Sequence, residues 1–191
     1  MTDNEDNPCP CEMDDLISGV TAVQNDENLI KVVALKNHLV TSNDGSIQLA
    51  STAISQDDIS GKKDAAGDAR SVSTFRAELT PRSELERCAK SINKVPEWSD
   101  DPISARVSTK ALRTIVDNSG RREVCVYAEP TDEKDKLGPC PTHAGVKRSP
   151  PMPDCRLSWA VLRSTVAQKF TAFKRVCSDT DVTAATIEIS S

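Results

Sequence analysis

Cys140-Pro141-Thr142-His143 places a thiol and an imidazole a short step apart, and Cys125 and Cys155 stand on either side of this clamp in the chain. Thiolate sulfur and imidazole nitrogen are ligands that zinc prefers, held as a tetrahedral set of four, and a tight Cys-x-x-His pair suits that geometry. Cys125, Cys140, His143 and Cys155 are therefore the one metal-ligand set the sequence offers, and zinc the one cofactor it suggests. The other spacings match no common finger, so a loop that carries these residues without a metal is the plainer expectation. The same residues raise a second chemistry, because a cysteine nucleophile needs a neighbouring base, most often histidine. Cys140 or Cys155 with His143 would make a thiol-dependent enzyme. The chain has only two histidines, His38 and His143, and His38 lies beside an apolar segment, where packing is the commoner role.

Signatures for other chemistry fail. Gly61-Lys62-Lys63 has the end of a phosphate-binding loop, but Gln56 stands where the first glycine is needed and Lys63 where a hydroxyl is needed. Neither Gly-x-Gly-x-x-Gly nor Gly-x-Ser-x-Gly occurs, which removes support for dinucleotide and α/β-hydrolase readings. The acid pairs Asp57-Asp58 and Asp100-Asp101 are expected as solvated surface or helix caps. Ser149, preceded by Lys147-Arg148 and followed by Pro150, has the pattern of a proline-directed phosphorylation site, and the run Pro150-Pro151-Met152-Pro153 suits an aromatic groove. Seven cysteines are an odd set, so full pairing within one molecule is excluded and reduced thiols are expected, including Cys9 and Cys11.

These residues can act only as the elements around them allow. Residues 129–154, which hold Cys140 and His143, are rich in proline and charge and are expected as an exposed, extended connector. The clearest element lies near the carboxyl end. Trp159, Leu162, Val166, Phe170, Phe173 and Cys177 recur at spacings of three or four, which draws an apolar stripe along a long amphipathic helix over residues 156–177. Trp159, Leu162, Val166, Phe170 and Phe173 are the candidate partner-binding residues. Arg156, Arg163 and Lys174 edge the stripe, where such a helix docks in a groove, self-associates or touches an anionic membrane surface. The plainer reading makes it the main core helix. Residues 182–189 then alternate in the manner of a strand.

Upstream, residues 1–28 are polar and acidic and read as a disordered tail. Residues 29–54 are expected as a β-hairpin about Asp44-Gly45, with a short helix as the alternative for residues 29–39. Residues 55–74 read as a linker. In 75–128, Thr80-Pro81 opens a helix that carries Leu85, Cys88, Ala89 and Ile92 on one face and runs to Asn93. Asp101-Pro102 opens another, continued by Ile103, Val107 and Ala111, before a hairpin turn at residues 117–120. The expected class is α+β: one or two hairpins packed with the long carboxyl-terminal helix, which with a short strand makes up residues 155–191, plus loose connectors.

With 191 residues the chain suits one domain, and with 3% aromatics its core must be mainly aliphatic. A net charge of −5 argues against a nucleic-acid footprint. The longest apolar runs are too short for a membrane-spanning helix. The acidic start lacks a signal-like apolar run, and no Asn-x-Ser/Thr acceptor occurs. The expectation is an intracellular protein, cytoplasmic or nuclear. Its expected role is that of a non-catalytic interaction or regulatory protein, an accessory or adaptor that binds a protein partner or itself through the terminal helix or the Pro-rich connector.

Overall fold

The computed structural model describes residues 21–63, 70–92, 102–131, 138–149, 157–185 and 187. These form a mixed α+β structure on one antiparallel sheet. In chain order the strands are β1 (Asn28–Val33), β2 (Leu39–Thr41), β3 (Ile47–Leu49), β4 (Val72–Arg76), β5 (Ile103–Ser108), β6 (Val124–Ala128), β7 (His143–Arg148) and β8 (Ala172–Arg175). The helices are α1 (Leu35–His38), α2 (Gln56–Ile59), α3 (Arg82–Ile92), α4 (Thr109–Arg113) and α5 (Trp159–Gln168), with a 3-10 turn at Ser51–Ala53. Six strands make the main sheet in the order β6-β7-β4-β1-β5-β8, and β2 with β3 forms a separate hairpin.

Strand alternation gives the sheet two buried faces. On the first, Leu29, Val33, Val72, Ile103, Ala105, Val107, Val124, Val126, Ala144 and Val146 join one core. It is covered by Leu162, Val166 and Ala167 of α5, Ile59 of α2, Leu112 of α4, and Leu39 and Leu49 of the hairpin. On the second face, Val32 and Phe75 pack with Leu85, Cys88 and Ala89 of α3, and with Cys140 and Val176. The α3 spacing thus does what its sequence implied. The start differs in detail. Pro81 accepts the first helical N–H groups through its carbonyl, while the Thr80 hydroxyl donates to the Arg76 carbonyl at 2.7 Å.

Two buried ion pairs tie the periphery to the first face. Arg148 and Glu123 have side-chain exposures of 6% and 4%, and Arg76 and Glu27 of 6% and 14%. Removing one partner of such a pair strands a buried charge, at about 3–5 kcal/mol. They are structural joints.

The sheet is larger than one or two hairpins, and several segments differ from the sequence expectation. The terminal helix is short: α5 ends at Gln168, with Ser158 as N-cap accepting from the Val161 N–H and Lys169 as C-cap. The chain then turns and β8 pairs antiparallel with β5. Phe173 belongs to that strand and Phe170 to the turn before it, yet both point into the first-face core. A stripe at spacings of three and four is thereby drawn by a helix, a turn and a strand in succession. Ile103–Ser108 is a strand rather than a helix, since Ile103, Ala105 and Val107 all face the core at period two. The fourfold spacing from Ile103 to Val107 fits either period. Val124–Ala128 pairs with β7 rather than with the segment before the turn at 117–120, which keeps only the bridge between Val116 and Arg122.

Within the expected connector 129–154, His143–Arg148 is a sheet strand with five of its six residues buried. Within the expected linker 55–74, Gln56–Ile59 is helical and β4 begins at Val72. Only residues 39–49 of the expected 29–54 hairpin pair with themselves, while β1 pairs with β4 and β5. Ala184 and Ala185 are helical where a strand was expected. Residues 1–20, 93, 150–156, 186 and 188–191 lie outside the described residues.

Candidate functional site

Helix α3 crosses only the middle of the second face and leaves two flanks beside it. One lies over β5 and β8. A groove of about 360 Å³ runs there, floored by Ile30, Leu85 and Val176 and edged by Arg82, Arg106, Lys174, Arg175 and Asp179. Alternation explains the edge, for β5 and β8 turn Phe173, Ala105 and Val107 to the core and Ser104, Arg106 and Lys174 outward. Its cations are held by exposed or half-buried partners: Arg106 to Glu78 at 2.5 Å, Arg82 to Glu86 at 3.1 Å and to the Cys177 carbonyl, and Lys174 to Asp179 at 3.4 Å. The side chains of Arg106, Arg82 and Lys174 are 48%, 50% and 45% exposed. Pairs of this kind are worth about 0–1 kcal/mol. An incoming carboxylate can therefore replace the resident one at little cost, which the buried pairs at Arg148 and Arg76 do not permit.

The other flank lies over β4, β7 and β6 and is a continuous polar network. The Ser73 hydroxyl is 2.7 Å from His143 Nε2, and His143 Nδ1 is 2.7 Å from the Glu129 carbonyl oxygen. The Glu129 carboxylate accepts from Ser71 Oγ at 2.5 Å and from the Tyr127 hydroxyl at 3.2 Å. Lys147 Nζ stands 4.2 Å over the Tyr127 ring. The ring of Phe75 meets His143 edge-on, with centroids 5.6 Å apart, and closes the network toward α3. Gly145, opposite Ser73 in the β4–β7 register, makes the approach feasible: a Cβ there would lie 2.7 Å from both the Glu129 carboxylate and the Tyr127 ring.

Of the described residues singled out for metal or thiol chemistry, only His143 sits in this network. Both of its ring nitrogens are engaged, by Ser73 and by the Glu129 carbonyl. Cys140 is fully buried in the core beneath α3, and contact with the Cys88 thiol, with burial added, pushes its own thiol upward. Cys125, expected as a reduced thiol, is disulfide-bonded and so has no thiolate to offer. Its sulfur lies 3.3 Å from the Ser149 hydroxyl. Cys155 lies outside the described residues. Among the described residues no group of three or more His, Cys, Asp or Glu side chains is placed to hold a metal ion. Ser149 is half-buried at the end of β7, its N–H bonded to the Glu123 carbonyl at 2.9 Å.

The candidate partner-binding residues are drawn together, facing inward. Leu162 and Val166 are at most 1% exposed, Phe170 3% and Phe173 7%. Trp159 is half-buried under the Arg148 guanidinium, 4.3 Å from its ring. Arg163, read as an edge residue, donates to the Ile54 and Ser51 carbonyls and so ties α5 to the 3-10 turn. Sequence reasoning missed Ser73, Glu129 and the groove. Their partners are far apart in the chain, and the only local signals were the alternation in β4 and β5. None of the described helices is long and apolar enough to cross a membrane.

Comparison with protein-family models, with curated proteins and with solved structures finds no match. The functional reading accordingly rests on this chain's own residues.

Proposed function

We propose that the chain works as an interaction protein and that its contact surface is the groove between α3 and the β5–β8 edge, which takes an extended acidic segment of a partner protein. The observation that carries this reading is the composition of the groove, where Arg82, Arg106 and Lys174 outnumber the one lining carboxylate, Asp179, around an apolar floor on a chain of net charge −5. An extended peptide has two sides, and one that alternates acid and apolar residues sets carboxylates against the cations and apolar side chains against Ile30, Leu85 and Val176. Charge complementarity of this kind governs encounter rate and choice of partner more than raw affinity. The binding expectation formed from the sequence is kept, and its surface moves from the apolar stripe, now buried, to this groove.

The test is fluorescence anisotropy with a labelled short peptide of alternating Glu and Leu. Lys174→Glu combined with Arg82→Glu is expected to weaken binding by at least about tenfold, or about 1.4 kcal/mol, at an unchanged melting temperature. Added salt is expected to weaken binding to the unaltered chain as well. Equal affinity of the variant and the unaltered chain, or no binding to either, would overturn the proposal.

A further inference from the structure

Beyond binding at the groove, we propose that Ser73 is a base-activated nucleophile that takes the acyl group from small carboxylic esters, with His143 as its base. A carbonyl oxygen only accepts hydrogen bonds, so His143 Nδ1, 2.7 Å from the Glu129 carbonyl, carries the ring proton in the neutral form. Nε2 then presents a lone pair, and the group it faces at 2.7 Å is the Ser73 hydroxyl, which donates to it. This is the ground-state order needed for proton removal from an attacking alcohol. His143 is 4% exposed and is braced by Phe75, whereas Ser73 is only half-buried. The base is thus held away from water and the nucleophile stays within reach of it.

In the reaction, Ser73 Oγ forms a bond to the ester carbonyl carbon while its proton passes to His143 Nε2. The tetrahedral adduct collapses by breaking the bond to the alkoxy oxygen, which leaves as an alcohol with that proton. Water then attacks the Ser73 ester, again giving a proton to Nε2, and releases the carboxylic acid and free Ser73. Lys147, on the same strand face two residues beyond Gly145, holds its ammonium over the Tyr127 ring at the border of this site. Glu129 is a positioning residue: its carbonyl holds the tautomer, and its carboxylate, 3.7 Å from Nδ1, favours the charged ring that forms in the step. Tyr127 and Glu129 fold across Gly145, opposite Ser73, and crowd that face. Those limits select a small acyl group.

The experiment uses the full chain with 4-nitrophenyl acetate, following nitrophenolate release and intact mass together with peptide mapping. The expected result is a single acetyl group on Ser73, absent from Ser73→Ala. Acylation in His143→Gln is expected to be slower by about a hundredfold or more. Glu129→Gln is expected to lower the acylation rate constant while the half-saturating ester concentration stays unchanged, a split that a purely structural role would not give. Circular dichroism of each variant checks that it folds, and Ser73→Ala, which only deletes a hydroxyl, keeps the test decisive should His143→Gln unfold. Acetylation confined to lysines or the amino terminus, or an adduct equal in Ser73→Ala, would overturn the proposal, and neither result bears on the groove.

Discussion

At the scale of single residues, the two histidines show how one side-chain type takes opposite roles. His38 closes α1, and its Nδ1 accepts the Ala34 N–H at 3.1 Å. Protonation would destroy that acceptor, and burial, reinforced by the nearby Lys31, holds its pKa down to about 4. The unfolded imidazole titrates near the ordinary 6.5. Between these values the unfolded chain binds the extra proton, so stability is complete above 6.5 and falls as pH is lowered toward 4. The exposed carboxylates act further down. Asp44, held to about 2 chiefly by the Ser42 hydroxyl, contributes above its ordinary carboxylate value and loses that contribution as pH falls through its folded one. Urea unfolding at about pH 7 and about pH 5 is therefore expected to show lower stability at the lower pH, with the difference flattened in His38→Gln. An equal difference in the variant would rule out His38 as the cause. Little of this residue chemistry was legible in advance. Cys140 and His143 are close in sequence, yet the partner of His143 is Ser73, 70 residues away, and the thiol against Cys140 belongs to α3.

At the scale of elements, legibility tracked how local the cause is. The turns at Asp44-Gly45 and at residues 117–120 were readable because they need a positive φ, and Gly45 and Gly120 have φ of 80° and 81°. Helix α3 was readable because its apolar face repeats at one period throughout. Strand β5 was obscured by coincidence, since Ile103 and Val107, four apart, satisfy both periods, and β8 because the turn at Phe170 brings Phe173 into step with the helical spacing. Strand β7 was hidden by the prolines around it, and its burial is conferred by β4 and β6 on either side. Phe173 decides between the two readings of the carboxyl-terminal segment. As a residue of an exposed helix it would tolerate Asp with its fold intact. As a core residue of β8 it is expected to lose about 3–5 kcal/mol or more on Phe173→Asp, the scale seen when a buried Phe side chain is removed. A denaturant midpoint unchanged from the original would place Phe173 outside the core.

At the scale of the whole molecule, the sheet is covered thickly on one face and thinly on the other. The first face carries α5, α2, α4 and the β2–β3 hairpin, and it takes up the apolar stripe that had suggested a contact helix. The second carries α3 alone among the described helices, with both functional candidates on its flanks. That division was not legible in composition. The 3% aromatic content correctly implied an aliphatic core, but which face stays open depends on which strands become neighbours, and strand order is a long-range outcome. Exposed pairs worth about 0–1 kcal/mol make the groove exchangeable, while the buried Arg148–Glu123 and Arg76–Glu27 pairs hold the frame around it.

Amide hydrogen exchange on the full chain, with and without the alternating Glu-Leu peptide, tests this account most directly. Slowed exchange is expected at the first turn of α3, in β5 and in β8, with β6, β7 and α5 unchanged. Slowing centred on α5 and the segment before it, with β5 and β8 unaffected, would contradict the account and return the contact surface to the terminal helix.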